Sequence, residues 1–200
     1  MPADTINAKA SDSKFKPHAE GQFVAQCADT IDLGEKVEKY QDQPAKLTHK
    51  CLLVFRTGQI NQETGEPQDI AREFTVSMGE KANLRAFLEQ WRGKKYTETQ
   101  VEEGVPLHKL AGQYALISVG HNTSGNGKTY ANIVTIAGVP EMMRKALPTF
   151  AAYTRDEYWT KRKKEYAEEA RKFKTDAGVQ PDSFEDFPDA PADEDDGLPF

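Results

Sequence analysis

Every one of the chain's 26 lysines and arginines lies at or before Lys174, and the 26 residues that follow carry nine carboxylates and no cation. Residues 175–200 are also rich in proline and poor in aliphatic side chains. Such a segment cannot bury enough apolar surface to offset the entropy of folding. It is expected to be a disordered acidic tail, so any core must come from the residues before it. That body carries a net +3 and the tail a net −9. A cationic body with an acidic appendage is a pattern of nucleic-acid-binding proteins.

Met1 to Lys16 is polar and mixed in charge, without the apolar h-region of a secretory leader. No stretch approaches the ~20 apolar residues of a membrane span. Cys27 and Cys51 are the only cysteines, too few for a disulfide scaffold or a zinc cluster. A cytoplasmic, reducing location and no membrane partner are expected.

The middle of the chain reads as strands. Gln22 to Ile31 alternates apolar with small or polar residues and is closed by Leu33-Gly34. Lys46 to Arg56 places Leu47, His49, Cys51, Leu53 and Phe55 on one face, with Lys50, Leu52, Val54 and Arg56 on the other. Thr57 to Asp69 reads as a loop and Ile70 to Val76 as a third strand. Ser77 and Glu80 have the spacing of a capping box, followed by Leu84, Phe87, Leu88 and Trp91 at helical spacing and a stop at Gly93. Gln113 to Val119 and Thr129 to Val139 are strands four and five, joined by a glycine-rich hairpin over His121 to Lys128.

Three strands, a helix and two more strands is the element order of an OB-fold. The fold class expected is therefore mainly β: a five-stranded OB barrel with a helix between strands 3 and 4. A second capping box, Thr154 to Glu157, opens an added C-terminal helix through Phe173. In it Trp159, Tyr166 and Phe173 recur every seven residues amid lysine and arginine. The expected domains are a flexible segment 1–19, an OB domain 20–150, a basic and aromatic helix 151–174, and the tail 175–200.

Catalytic readings fail. Ser124 to Thr129 (SGNGKT) resembles part of a phosphate-binding loop, but Asn122 stands where the first glycine is required and a strand follows instead of a helix. His18, His49, His108 and His121 have no metal-ligand spacing. No enzyme, no cofactor and no small-molecule substrate are expected.

Basic and aromatic residues fit a different task. Single-strand binders pair a positive groove that follows the phosphates with rings on which bases stack. The candidates are Lys50 and Arg56 on the second strand, Arg72 and Phe74 on the third, and Trp91, Arg92, Lys94, Lys95 and Tyr96 at the end of the helix. His121, Lys128 and Tyr130 join them at the hairpin. Many map to the face of strands two and three, the OB ligand surface. Phe55 and, in preference to a binding role, Trp91 are expected in the core, because each completes an apolar face. Alternation leaves open which face holds Phe74 and Tyr130.

The residues Asp195-Asp196-Gly197-Leu198-Pro199-Phe200 resemble the acidic tip of bacterial single-stranded DNA-binding proteins, with Gly197 in place of a third Asp and Leu198 in place of Ile. That resemblance implies partner binding by Asp195, Asp196, Leu198, Pro199 and Phe200. The body resembles instead the replication single-stranded DNA-binding proteins of tailed phages, from about Glu20 to Pro140. The resemblance rests on Glu20-Gly21, Asp32-Leu33-Gly34, Phe74-Thr75-Val76-Ser77, Leu84-Arg85 through Trp91-Arg92-Gly93-Lys94, and Tyr130-Ala131-Asn132-Ile133. It implies an OB-fold binder of single-stranded DNA with little sequence preference, acting in phage replication or recombination in the host cytoplasm. Its partners would be single-stranded DNA and, through the tip, replication or recombination proteins. The tail is expected to compete with DNA for the body. Two other readings are an adaptor or DNA mimic acting through its acids, and an OB protein for RNA or duplex DNA.

Overall fold

The computed structural model describes residues 16–40 and 43–176. Residues 1–15 of the expected flexible segment and the tail from 177, including Asp195, Asp196, Leu198, Pro199 and Phe200, lie outside the described residues.

Five strands form one antiparallel sheet: β1 (Gly21–Glu38), β2 (Lys46–Arg56), β3 (Ile70–Thr75), β4 (Tyr114–Thr123) and β5 (Thr129–Gly138). Their order is β3-β2-β1-β4-β5. The expected closed barrel is not formed, because no ladder joins β3 to β5. The seam is bridged by a side chain instead: Arg72 Nη1 donates to the Ile133 carbonyl at 2.8 Å. Arg72 also lies over the rings of Phe74 and Phe87, at 5.1 and 5.2 Å.

β1 is far longer than Gln22 to Ile31 because two bulges carry it around the sheet. Its first residues pair with β4 and its later ones with β2. Cys27 stands opposite Phe55, whereas Asp29 stands opposite Val54, so Ala28 is the extra residue. One extra residue exchanges the faces of everything after it. Ala25 and Cys27 therefore enter the inner core, whereas Ile31 and Leu33 pack on the outer face. At the second bulge Gly34 adopts φ 78°, and its N–H reaches Asp32 Oδ1 at 2.8 Å.

The inner core is built from alternating residues: Cys51, Leu53 and Phe55 of β2, Ile70 and Phe74 of β3, Ala115, Ile117 and Val119 of β4, and Ile133 and Ile136 of β5. Helix α1 (Asn83–Arg92) closes it with Leu84, Phe87, Leu88 and Trp91, an i, i+3, i+4, i+7 stripe. Gly93 ends α1 in the left-handed conformation. The Ser77–Glu80 capping box is not what starts it. Ser77 Oγ takes the N–H of Gly79 at 3.3 Å, and the helix begins after Ala82. Between α1 and β4 lie α2 (Glu98–Glu102), opened by a true capping box of Thr97 and Gln100, and a 3-10 turn at Leu107–Leu110.

After β5 comes a short helix, α3 (Glu141–Arg144), and then α4 (Glu157–Asp176). Helix α4 packs on the outer face, where Tyr166 joins Ile31, Leu33, Leu52 and Val54, with Trp159, Tyr153 and Ala71 at the margin. Glu73 on β3 is the anchor: it accepts from Tyr166 Oη at 3.1 Å and Arg162 Nη2 at 3.4 Å, and meets Lys36 Nζ at 3.5 Å. Arg155–Asp29 at 2.8 Å and Lys174–Glu35 at 2.7 Å hold its two ends. No helix among the described residues is long and apolar enough to cross a membrane.

Candidate nucleic-acid interface

The residues nominated on the outer face of β2 are not presented to solvent. Lys50 is 7% exposed and donates to Thr75 Oγ1 at 2.7 Å, with Glu38 at 2.9 Å. Arg56 is equally buried. Its fork grips both oxygens of Asp69, at 3.0 and 2.9 Å, and Nη1 bonds the carbonyls of Ala151 and Ala152. Arg56 thus fastens the chain leading into α4 to the sheet. A bidentate pair of this kind suits arginine's planar geometry.

Phe74 is in the inner core and Arg72 spans the seam above it. His121 sits at 2.7 Å from the His18 carbonyl through Nε2, and its backbone N–H donates to Glu20. His18 is itself buried 2.6 Å from Thr57 Oγ1, and that burial depresses its pKa. These contacts tie residues 16–20 across the end of the sheet.

The remaining candidates gather at two places. Trp91, Arg92, Lys94 and Tyr96 line a cavity of about 230 Å³ with Leu88, Leu110, Tyr114, Val139, Arg144 and Leu147. It lies between the end of α1, the end of β5 and the chain that follows. Trp91 Nε1 donates to the Tyr114 carbonyl at 3.0 Å, and Arg92 stacks on the Tyr96 ring at 4.2 Å. Lys95 is exposed next to this cavity in sequence without lining it.

Tyr130, 47% exposed, belongs to the second place, an open groove of about 1030 Å³. One wall is the β2–β3 part of the sheet at Val54, Arg56, Ile70 and Ala71, and the other is Tyr153 before α4 with Tyr158 and Trp159 in its first turn. The loop between β2 and β3 forms its rim. Tyr158 is 52% exposed and stands edge-on to Trp159, with centroids 4.8 Å apart. Lys128, at the hairpin two residues before Tyr130, is exposed. Tyr153, Tyr158 and Trp159 were not among the nominated contacts. Their sequence signal pointed to packing, because Trp159 begins the seven-residue stripe that Tyr166 continues into the outer cluster. Tyr158 stands one residue off that stripe and so keeps an open face.

The groove's charge does not match its aromatic content. Arg56 and Arg155 line it, but so do Glu66, Asp69 and Asp156. Arg155 is held by both oxygens of Asp29, at 2.8 and 3.0 Å. What the groove offers a ligand besides these mixed charges is the rings of Tyr130, Tyr153, Tyr158 and Trp159. Among the described residues no cluster of histidine, cysteine and carboxylate is arranged to hold a metal.

No known protein-family model matches the chain, and no curated protein sequence matches it.

Proposed function

We propose that this chain binds single-stranded DNA in the groove between the β3 edge and the start of α4. Bases stack on Tyr130 and Tyr158, and Tyr153 and Trp159 complete the wall beside Tyr158. The observation that carries the reading is the convergence of these four rings on one open groove, two of them about half exposed. Each stacked base contributes ~1–3 kcal/mol without demanding a particular sequence. The antiparallel order β3-β2-β1-β4-β5, with one long strand shared by both halves, supports an OB-type barrel left open at one seam. On this reading α4 covers part of the usual ligand face and moves the strand toward the sheet edge.

The acidic tail supplies the second half of the proposal. Leu198, Pro199 and Phe200, preceded by Asp195 and Asp196, have the chemistry to seat an apolar anchor in a basic-rimmed pocket of a replication or recombination protein. The test of the first half is fluorescence polarisation of labelled oligothymidine with the full chain, with unlabelled RNA and duplex DNA as competitors. Tight binding that only single-stranded DNA displaces supports the reading. An absence of binding overturns it, and better displacement by RNA or duplex reassigns the groove.

A further inference from the structure

The cavity of about 230 Å³ at the end of α1 shares no lining residue with the groove. Its walls are apolar: Leu88, Trp91, Leu110, Val139 and Leu147. Trp91 is fixed by the bond from Nε1 to the Tyr114 carbonyl at 3.0 Å. The outer wall, the chain after β5, is tied down by Tyr114 Oη donating to the Pro148 carbonyl at 2.7 Å and by Tyr114 stacking on Phe150. Walls held in this way are formed before a ligand arrives, as in small-molecule sites generally.

The polar lining is sparse and of one sign. Gln113 is anchored by its backbone, its N–H on the Leu110 carbonyl at 3.1 Å and its carbonyl accepting from Cys27 at 2.8 Å. Its side-chain carboxamide is a donor and an acceptor in one group. Lys94 and Arg144 line the cavity from exposed positions, and among the described residues no carboxylate lines it. Arg92 lies over the Tyr96 ring at 4.2 Å and belongs to the wall, not to the ligand's charge. A flat apolar space, one group able to pair with a hydrogen-bonding edge, and two exposed cations together match a nucleobase carrying a phosphate. Bases lie on aromatic rings and are read along their edges, and phosphate oxygens attract lysine and arginine. Pockets for drug-sized ligands begin at ~300 Å³, so this smaller one suits one nucleotide and not a stretch of strand. We propose that the cavity binds a single nucleotide, with the base against Trp91 and the aliphatic wall, its edge on the Gln113 carboxamide and its phosphate against Lys94 and Arg144. A free nucleoside monophosphate and the phosphorylated end of a strand both carry this chemistry. The site stands whether or not the groove binds DNA.

Trp91 lines the cavity, Trp159 lines the groove, and the chain has no other tryptophan. In the full-length Trp159→Phe chain, emission therefore reports on the cavity alone. Titration with thymidine 5′-monophosphate should change that emission and saturate, and thymidine, which lacks the phosphate, should bind about tenfold more weakly. Lys94→Gln/Arg144→Gln, at two exposed positions, should bring the two ligands to equal affinity. Gln113→Leu should weaken both by about fivefold. No saturating change, equal affinities in the parent, or a preference for the phosphate that survives the double neutralisation would each overturn the assignment. Competition with 5′-phosphorylated and unphosphorylated oligothymidine separates the sources. Displacement by the phosphorylated strand alone supports a strand end as the ligand, and displacement by neither supports the free nucleotide. Equal displacement by both would overturn the single-nucleotide site, since an internal stretch of strand would then occupy the cavity.

Discussion

Arg72 of β3 donates across the open seam of the sheet to the backbone carbonyl of Ile133 on β5, at 2.8 Å. This single bond stands where a closed barrel would have a ladder. Its guanidinium is desolvated, which lowers its pKa, and it lies over the adjacent rings of Phe74 and Phe87. Arg72→Met keeps most of the apolar stem but leaves the carbonyl without this donor. A hydrogen bond from a charged group is worth about 2 kcal/mol, and urea unfolding should show a loss of that size. Oligothymidine affinity measured well below the unfolding midpoint should stay the same, since this arginine faces the interior.

Tyr130→Ala is the cleanest probe of the groove, because its ring is half exposed and belongs to neither core cluster. Loss of one stacking platform should cost ~1–3 kcal/mol of DNA binding, read by polarisation, and leave the unfolding midpoint within about 0.5 kcal/mol of the parent. Tyr158→Ala should weaken binding likewise. It also removes the oxygen that Arg162 Nη1 reaches at 2.8 Å, so a small stability loss should accompany it.

Lys50 separates a structural cation from a binding one. Lys50→Met should leave oligothymidine affinity unchanged and alter stability, since the ammonium is buried against Glu38 and Thr75. The hydrogen bond from Lys50 holds the Glu38 carboxyl below its ordinary value of 4.5. The stability this contributes is fully present above that value and is lost as pH falls through the lower folded-state pKa. Urea midpoints measured from neutral to strongly acidic pH should therefore decline less steeply in Glu38→Gln than in the parent chain.

Both cysteines should be silent toward a thiol reagent at neutral pH. Burial raises Cys27 to about 12 and Cys51 to about 11, and the thiolate is the reactive form. Labelling with a chromogenic disulfide should appear only in denaturant, along the same curve as loss of circular dichroism. Labelling in native buffer would show that the inner core opens locally.

Much of this arrangement was legible in the residues. The β2 boundaries, Lys46 and Arg56, fall where alternation places them, and the stripe from Leu84 to Trp91 is the face that α1 buries. The length of β1 was hidden because alternation fails at each bulge, so Ile31 and Leu33 look continuous with Ala25 and Cys27 while lying on the other face. The start of α1 was misplaced because Ser77 and Glu80 satisfy a spacing rule that the backbone at Gly79 does not follow. Lys50, Arg56 and Arg72 look alike in sequence to solvated cations. Their roles depend on Asp69, Glu38 and Ile133, partners that only tertiary packing brings near.

The unzipped seam has a cost beyond local stability. Two unpaired strand edges are templates for a neighbouring chain, and such edges seed aggregation unless blunted by shortness or by an inward-turned charge. β3 has six residues, and Arg72 turns its charge inward at the middle of them. The residue that bridges the seam is thus also a guard against polymerisation. Chains that lose it should be lost from concentrated solution sooner than their unfolding midpoint alone would predict.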